Sequence, residues 1–585
     1  MPESPMTHSP SDIERPAPSR TGNAVFGSDV IADTLRALDI PYIALTPGAS
    51  YRGLHDSLVN RLGNASPQML VCLHEEHAVA IAQGYAKVTE RPMLAAVHSN
   101  VGLMHATMAI FDAWCDRTPV IVLGATGPVD ARLRRPWIEW LHTASDQGAL
   151  VRNYVKWDDQ PASPMAARES LLRAAWIAQT APKGPVYINF DAAMQESTLP
   201  EPLPEIEPAR FMPPVISAVS QEQIAQLVAL FAAAKNPVIL MGRMSRRMAA
   251  WEARIALAER TGARVLSTHR LAAAFPTEHP LHVGTAFGRL HAEAKTALAE
   301  ADLILSLDWI DLAGTLKTAF GETAPKAKIV QVSLDYHLHN GWSKDHQALP
   351  PADLFLATEP DNAVAALLAA LPATPARPLP PAQPRTRAPA QPRTDGRIKT
   401  ADMVTTLFEA LNGRPSSLLH VPVSWKGQDW PFAHPLDYIG EEGGGGVGAG
   451  PGIAVGAALA LKGSGRIPVA LLGDGDYMMG CTALWTAAHY RIPLLVIVII
   501  NQTYANDEAH QLHMAESRGR AVENKWIGMR MTDPDIDMAQ IGTAQGALGF
   551  GPVRNLSELP EIFRQAIAAV EAGRLVVVDI HSDTD

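Results

Sequence analysis

Cysteine is scarce: three in 585 residues, Cys72, Cys115 and Cys481, far apart and without CxxC spacing. That excludes a disulfide framework and a paired-cysteine zinc site, and it suits a reducing compartment. Long apolar runs are missing as well. An apolar run such as Pro493 to Ile500 falls far short of the roughly 20 residues a membrane-spanning helix needs. It reads as a buried strand, and no membrane partner is expected. Basic residues are in the minority, 49 Lys plus Arg against 60 Asp plus Glu for a formal charge of −11, which disfavours a general nucleic-acid binder. Residues 1–22 have no signal-like apolar stretch and are crowded with Pro and Ser, so a disordered tail and cytoplasmic residence are expected.

Hydrophobic residues make up 47% of the chain, enough for several cores, and the length suggests three or four domains of roughly 100–200 residues each. From about residue 24, short apolar runs alternate with stretches of helical period, the pattern of parallel α/β layers. A helix is predicted to open with Ser28 as its N-cap. Strands are predicted at 42–45, 69–73, 94–97, 120–123 and 186–190, with helices at 75–87 and 101–114 between them. A Pro-rich passage separates this first unit, 23–198, from a second α/β unit, 199–371. Residues 372–396 have no apolar period and so much proline that an extended linker is expected. The third unit, 397–585, alternates again: strand 417–420, a glycine cluster, an Ala-rich helix, strand 469–472, helix 478–490 and strand 494–500.

The most informative segment is VALLGDGDYMMGCTALWTAAHYRIPLLVIVIINQTYAND. One strand ends at Gly473-Asp474-Gly475 and the next at Asn501. In an open parallel sheet both ends lie at the carboxyl edge, where ligands bind, so Asp474 and Asn501 can offer oxygens to a hard cation such as Mg²⁺. Gly473 and Gly475 let backbone N–H groups approach phosphate oxygens. Taken bare, Gly-Asp-Gly is also an ordinary turn. In this context of strand, helix, strand and Asn, it resembles the diphosphate-anchoring motif of thiamine diphosphate enzymes, in the branch of acetolactate synthase, benzoylformate decarboxylase and benzaldehyde lyase. That resemblance spans roughly 24–582. It implies a three-domain α/β fold of pyrimidine-binding, central and diphosphate-binding domains, each a parallel sheet flanked by helices.

For the metal, the resemblance implies Asp474, Asn501 and the Thr503 carbonyl as ligands, and it adds Asp476 and Tyr504 to the cofactor-contacting residues. The family usually carries two consecutive asparagines; here the first is Ile500. The run CLHEEHAVAIAQGYAKVTERP resembles the family's HE…GYA helix and places Glu75 as the glutamate that shares a proton with the cofactor pyrimidine. An acidic pair stabilised at a helix start is the plain alternative for Glu75 and Glu76. In EEGGGGVGAGPGIAVGAALALKG, Val447 stands where the family has the apolar wedge that bends the cofactor, and Gly445 where a carbonyl meets its amino group. Gly443 to Gly448 also satisfies GxGxxG, but with no acidic ribose partner a dinucleotide site is discounted.

The stretch AAVHSNVGLMHATMAIFDAWCDRTPVIV resembles benzoylformate decarboxylase and gives His98 the place of an active-site proton shuttle. Ala49 stands where that enzyme has a substrate-contacting serine, and Ser50 is the substitute. His105 is set aside, because Met104, Met108 and Phe111 on its helix read as core. Past the metal loop, Asp507 and His510 suggest a hydrated substrate, or simply a solvated loop. The reaction implied is cleavage or formation of a carbon–carbon bond next to a carbonyl, read as decarboxylation of a small 2-oxo acid. An acetolactate synthase-like carboligase and a non-catalytic regulatory homologue are the alternatives, the latter opposed by retention of Glu75, Asp474 and Asn501. Thiamine diphosphate and Mg²⁺ are the implied cofactors; nothing in the middle unit marks a flavin, and FAD use is left open. A 2-oxo acid or aldehyde is the implied small-molecule partner, with a homodimer or homotetramer whose active sites lie at the dimer interface.

Overall fold

Strands rich in Val, Ile and Leu on both faces must be covered on both sides, which parallel sheets between helices achieve. The computed structural model shows three such sheets, each of six strands, and describes residues 13–17, 25–286, 290–338, 349–374, 378–381, 398–422, 425 and 430–583. The expected tail at 1–22 and linker at 372–396 lie largely outside the described residues. Among the described residues, no helix is long and apolar enough to cross a membrane.

The first sheet comprises β1 (Tyr42–Leu45), β2 (Gln68–Val71), β3 (Met93–Val97), β4 (Val120–Thr126), β5 (Asp158–Asp159) and β6 (Val186–Asp191), in the order β2-β1-β3-β4-β6-β5. Its helices include α1 (Gly27–Ala37), α2 (Glu75–Thr89) and α3 (Ser99–Cys115). Ser28 is not the N-cap of α1. Phe26 holds that position, its N–H donating to Asp29 Oδ2 at 2.9 Å, while Ser28 is buried and accepts a hydrogen bond from Ser57. The central sheet runs β9-β8-β7-β10-β11-β12, built from β7 (Pro237–Met241), β8 (Arg264–Thr268), β9 (His282–Ala286), β10 (Leu303–Leu307), β11 (Lys328–Val332) and β12 (Leu354–Leu356).

The third sheet orders β13 (Ile398–Lys399), β14 (Ser416–His420), β15 (Ile467–Gly473), β16 (Leu494–Ile500) and β18 (Leu575–Asp583) as β13-β18-β16-β15-β14, with β17 (Leu548–Val553) also on β18. Its helices include α4 (Ala449–Leu461), α5 (Asp474–Gly480), α6 (Ala483–His489) and α7 (Ala505–Ser517). The single helix expected over 478–490 is two, α5 and α6, parted at Cys481 and Thr482. The loop expected after Tyr504 is helix α7.

First and third sheets share a core. Ala78, Ile81, Ala82, Ile453, Ala454 and Ala457 pack in one cluster between α2 and α4. Glycine sets the helix spacing: a Cβ at Gly84 would lie 2.0 Å from the Ile453 carbonyl oxygen, and one at Gly456 would lie 1.9 Å from that of Ile81. Polar ties cross the same seam. His77 Nε2 is hydrogen-bonded to Thr482 Oγ1 at 2.8 Å, and Val71 N–H donates to the Tyr490 hydroxyl at 2.9 Å.

Candidate active site

In the β15–β16 pairing Gly473 lies opposite Ile499, so Asp474 and Asn501 leave the sheet at the same edge. Asp474 is buried, and its Oδ2 accepts N–H groups from Asn501 at 3.2 Å and Gln502 at 2.7 Å. Burial pushes its carboxyl up, against the downward pull of those N–H donors. Asn501 Oδ1 accepts the Thr503 N–H at 3.0 Å. A buried carboxylate, an amide oxygen and nearby backbone carbonyls form the all-oxygen donor set that suits Mg²⁺.

Open space adjoins this edge. A Cβ at Gly473 would meet nothing within 4 Å, whereas one at Gly475 would lie 3.1 Å from the Tyr504 ring. Gly445 has φ +71°, in the left-handed region that favours glycine, and a Cβ there would also meet nothing within 4 Å. Val447 is 50% exposed, and a Cβ at the adjoining Gly448 would lie 2.9 Å from Met479 Cβ. These features fit a diphosphate-bearing cofactor laid over the glycine loop. Asp476 points the other way: its Oδ1 accepts the N–H groups of Gly448 at 2.7 Å and Gly450 at 3.3 Å.

Glu75 is the first residue of α2 and is buried. Across from it on α3, a Cβ at Gly102 would come within 3.0 Å of Glu75 Cγ and Oε1, so only glycine lets the carboxylate lie this close. Oε2 is 3.0 Å from His105 Nδ1, and the His105 ring stacks on that of His74 with centroids 5.0 Å apart. His105, set aside as neighbour to a core stripe, therefore touches the candidate catalytic glutamate, and Met104 is exposed. Helix α3 continues to the glycine loop. Asp112, two turns and about 10 Å further on, accepts the Gly444 N–H at 2.9 Å.

His98 closes β3 and caps α3. Its Nδ1 is 3.0 Å from Ser50 Oγ, joining two residues singled out separately in the sequence. Gly48 makes the approach possible, since a Cβ there would lie 2.2 Å from His98 Cγ. The His142 ring meets His98 edge-on with centroids 4.7 Å apart. Burial first, then His142, holds the His98 imidazole below its ordinary value, against the upward pull of Glu75. Asp507 and His510 are exposed on α7, while Glu508 between them is buried and accepts from Thr503 Oγ1 at 2.9 Å.

A separate cleft of about 540 Å³ opens where the carboxyl ends of the central strands meet the first unit, lined by Lys87, Asp116, Arg243, Arg246, Asp308 and Asp361 among others. It sits where the strand order diverges from β7, the position at which open α/β sheets take ligands. Arg243 is committed there to Asp335 at 3.0 Å and Asp308 at 3.4 Å. Periodicity in sequence does not reveal this cleft, because its residues come from many separate strand ends.

Geometry of this kind defines an α/β protein with candidate cofactor-binding residues at the edges of the first and third of its three sheets. Known proteins agree in chain order. Residues 26–150 match the thiamine pyrophosphate enzyme N-terminal TPP binding domain, 224–354 the central domain and 422–580 the C-terminal TPP binding domain. The chain belongs to the thiamine pyrophosphate enzyme family, and it is a thiamine diphosphate-dependent enzyme. The acetolactate synthase large subunit of Haemophilus influenzae is 24% identical over 87% of this chain and 90% of its own length. Benzoylformate decarboxylase of Pseudomonas aeruginosa is 26% identical over 74% and 78%, respectively. In fold, the chain is similar to the 4-hydroxybenzoylformate decarboxylase of Rhodococcus jostii RHA1, with a TM-score of 0.77 at 22% identity over 96% of this chain and 100% of that one.

Proposed function

We propose that the enzyme decarboxylates a small 2-oxo acid, with Mg²⁺ holding the cofactor diphosphate. The observation that carries this reading is the Ser50–His98 pair, whose histidine lies close enough to Glu75 to feel its charge. Thiamine diphosphate, when bound, supplies the nucleophilic carbon and the electron sink for breaking a bond next to a carbonyl. Glu75 would be the group that shares a proton with the pyrimidine, its carboxylate oriented by His105 through Oε2. Asp474, Asn501 and the Thr503 carbonyl hold the metal. Gly473, Gly475 and Tyr504 line the diphosphate edge, Asp476 braces the glycine loop from behind, and Gly445 and Val447 shape the middle of the cofactor.

With Nδ1 engaged by Ser50, Nε2 of His98 is the atom left to exchange a proton with substrate. Held neutral, the imidazole can also accept a hydrogen bond without repelling a cation. Asp507 and His510 suit a polar substrate at the rim. Exposed apolar side chains near the site, Leu73, Val101, Met104, Val447 and Met479, support a homodimer or homotetramer that covers them with a second copy. The three domains are taken as 23–198, 199–371 and 397–585, and cytoplasmic residence accords with the scarcity of cysteine.

Carboligation on the same cofactor is the second reading, favoured by the acetolactate synthase relative. Proton NMR of the protein with thiamine diphosphate, Mg²⁺ and a panel of 2-oxo acids separates the two. Aldehyde as the sole product supports decarboxylation, a ligated hydroxyketone establishes the carboligase, and an untouched panel refutes both.

A further inference from the structure

The glycine loop lacks side chains of its own to fix its shape, and glycine gives up more backbone freedom on ordering than any other residue. Gly445 at φ +71° and Gly448 at φ +107° both occupy the left-handed region. Something outside the loop must hold it. His420, the last residue of β14, lies beneath it with its side chain 6% exposed. Its Nε2 is 2.8 Å from Glu442 Oε2, immediately before the glycine run; its Nδ1 is 3.4 Å from the Leu471 carbonyl oxygen and, as an ion pair, 3.8 Å from Asp476 Oδ2. Asp476 in turn accepts the N–H groups of Gly448 and Gly450, where the loop becomes α4.

The surroundings are acidic. Glu441, Glu442, Asp476, Asp112 and Asp116 gather around the loop, while Lys87 is already bonded to Asp116 at 2.8 Å and to the Glu441 carbonyl. Burial alone would strip the proton from the His420 imidazole. Asp476 and Glu442 outweigh it and push the group up to about 10, so it carries a positive charge at neutral pH. A buried carboxylate deprived of its contacting cation is costly, and here two would be deprived together.

We propose that His420 is a positioning residue for the cofactor, clamping Glu442 at the start of the glycine loop and Asp476 at its end so that Gly445 and Val447 face the bound pyrimidine side. The inference rests on the reading of this loop as the cofactor cradle. It predicts that His420→Gln weakens binding of thiamine diphosphate plus Mg²⁺ to the full chain by about tenfold or more, from two buried carboxylates left unpaired. Because both substitutions break the same clamp, His420→Gln/Glu442→Gln weakens affinity no further than His420→Gln alone. Affinity is read by calorimetric titration of the cofactor-free protein, with far-UV circular dichroism and thermal melting confirming that each variant folds.

Non-additivity in the double variant separates a shared clamp from general damage, which a second substitution would only deepen; additive losses overturn the proposal. Equal affinity in His420→Gln and parent overturns the proposal while leaving the cofactor site intact; a parent that binds no thiamine diphosphate overturns both. If His420→Gln does not fold, Glu442→Gln carries the test. A fall of about fivefold in affinity with an unchanged melt supports the clamp, and unchanged affinity refutes it.

Discussion

Gly456 faces the backbone of α2 so closely that its replacement by alanine should reverse the usual sign of such a change. In an unconstrained helix, Gly→Ala stabilises by about 1 kcal/mol through helix propensity. Here the new Cβ would lie 1.9 Å from the Ile81 carbonyl oxygen, and the obstacle is backbone, which cannot rotate away. The helices would have to part by more than about 1 Å, opening voids along a close-packed seam, and overpacking of this kind costs about 1–3 kcal/mol. Net destabilisation of up to about 2 kcal/mol is therefore expected for Gly456→Ala after the propensity gain is subtracted. Because α2 begins with Glu75, the same parting should weaken turnover as well as stability. Urea unfolding of parent, Gly456→Ala and Gly84→Ala, followed by tryptophan fluorescence, measures the effect. Stability equal to or above the parent in both variants would refute the close-contact account of the seam.

Asp474→Ala is expected to abolish the Mg²⁺ dependence of thiamine diphosphate binding; tight, metal-dependent binding in that variant would remove Asp474 from the metal site. His105→Ala leaves Glu75 Oε2 without its 3.0 Å partner. A hydrogen bond to a charged group is worth about 1.5–3 kcal/mol, so kcat should fall about tenfold or more at unchanged cofactor affinity, and an unaltered kcat would contradict the positioning. Burial, with Asp116 and Glu442 beside it, pushes the Asp112 carboxyl up to about 8 from an ordinary value of 3.8. Between those values the folded chain keeps a proton that the unfolded chain has released. Stability from this group is thus lost as pH rises through that window, by at most about 1.4 kcal/mol per unit, and levels off above it. Asp112→Asn should flatten the slope of urea midpoint against pH, and identical slopes would rule Asp112 out as its source.

Much of the fold was legible because apolar runs of strand length alternate with helical periods; β1 and β16 fall where the pattern places them. Boundaries failed where chemistry competes. Ser28 is a good N-cap by type, yet Asp29 reaches back to the Phe26 N–H and moves the cap by two residues. Cys481 and Thr482 interrupt what reads as a continuous helix, and Thr482 bonds His77 from another unit. In the site, Glu75, Asp474 and Asn501 stand at element ends that a local pattern can mark. His105, Asp112, His142 and His420 owe their importance to residues 30, 332, 44 and 22 positions away along the chain. No local spacing encodes such contacts. Asp476 lies in the marked motif, but its carboxylate serves the glycine loop, a direction that only packing reveals.

The central claim is that Glu75 acts on a bound thiamine diphosphate. Glu75→Gln keeps the shape of the side chain and removes its ability to hold an exchangeable acidic proton. Cofactor affinity and the rate of 2-oxo acid consumption, measured together on parent and variant, test the claim directly. The account predicts that turnover falls by about 10²–10⁴, the range for loss of general acid–base catalysis, while thiamine diphosphate still binds. Turnover in Glu75→Gln equal to that of the parent would contradict it.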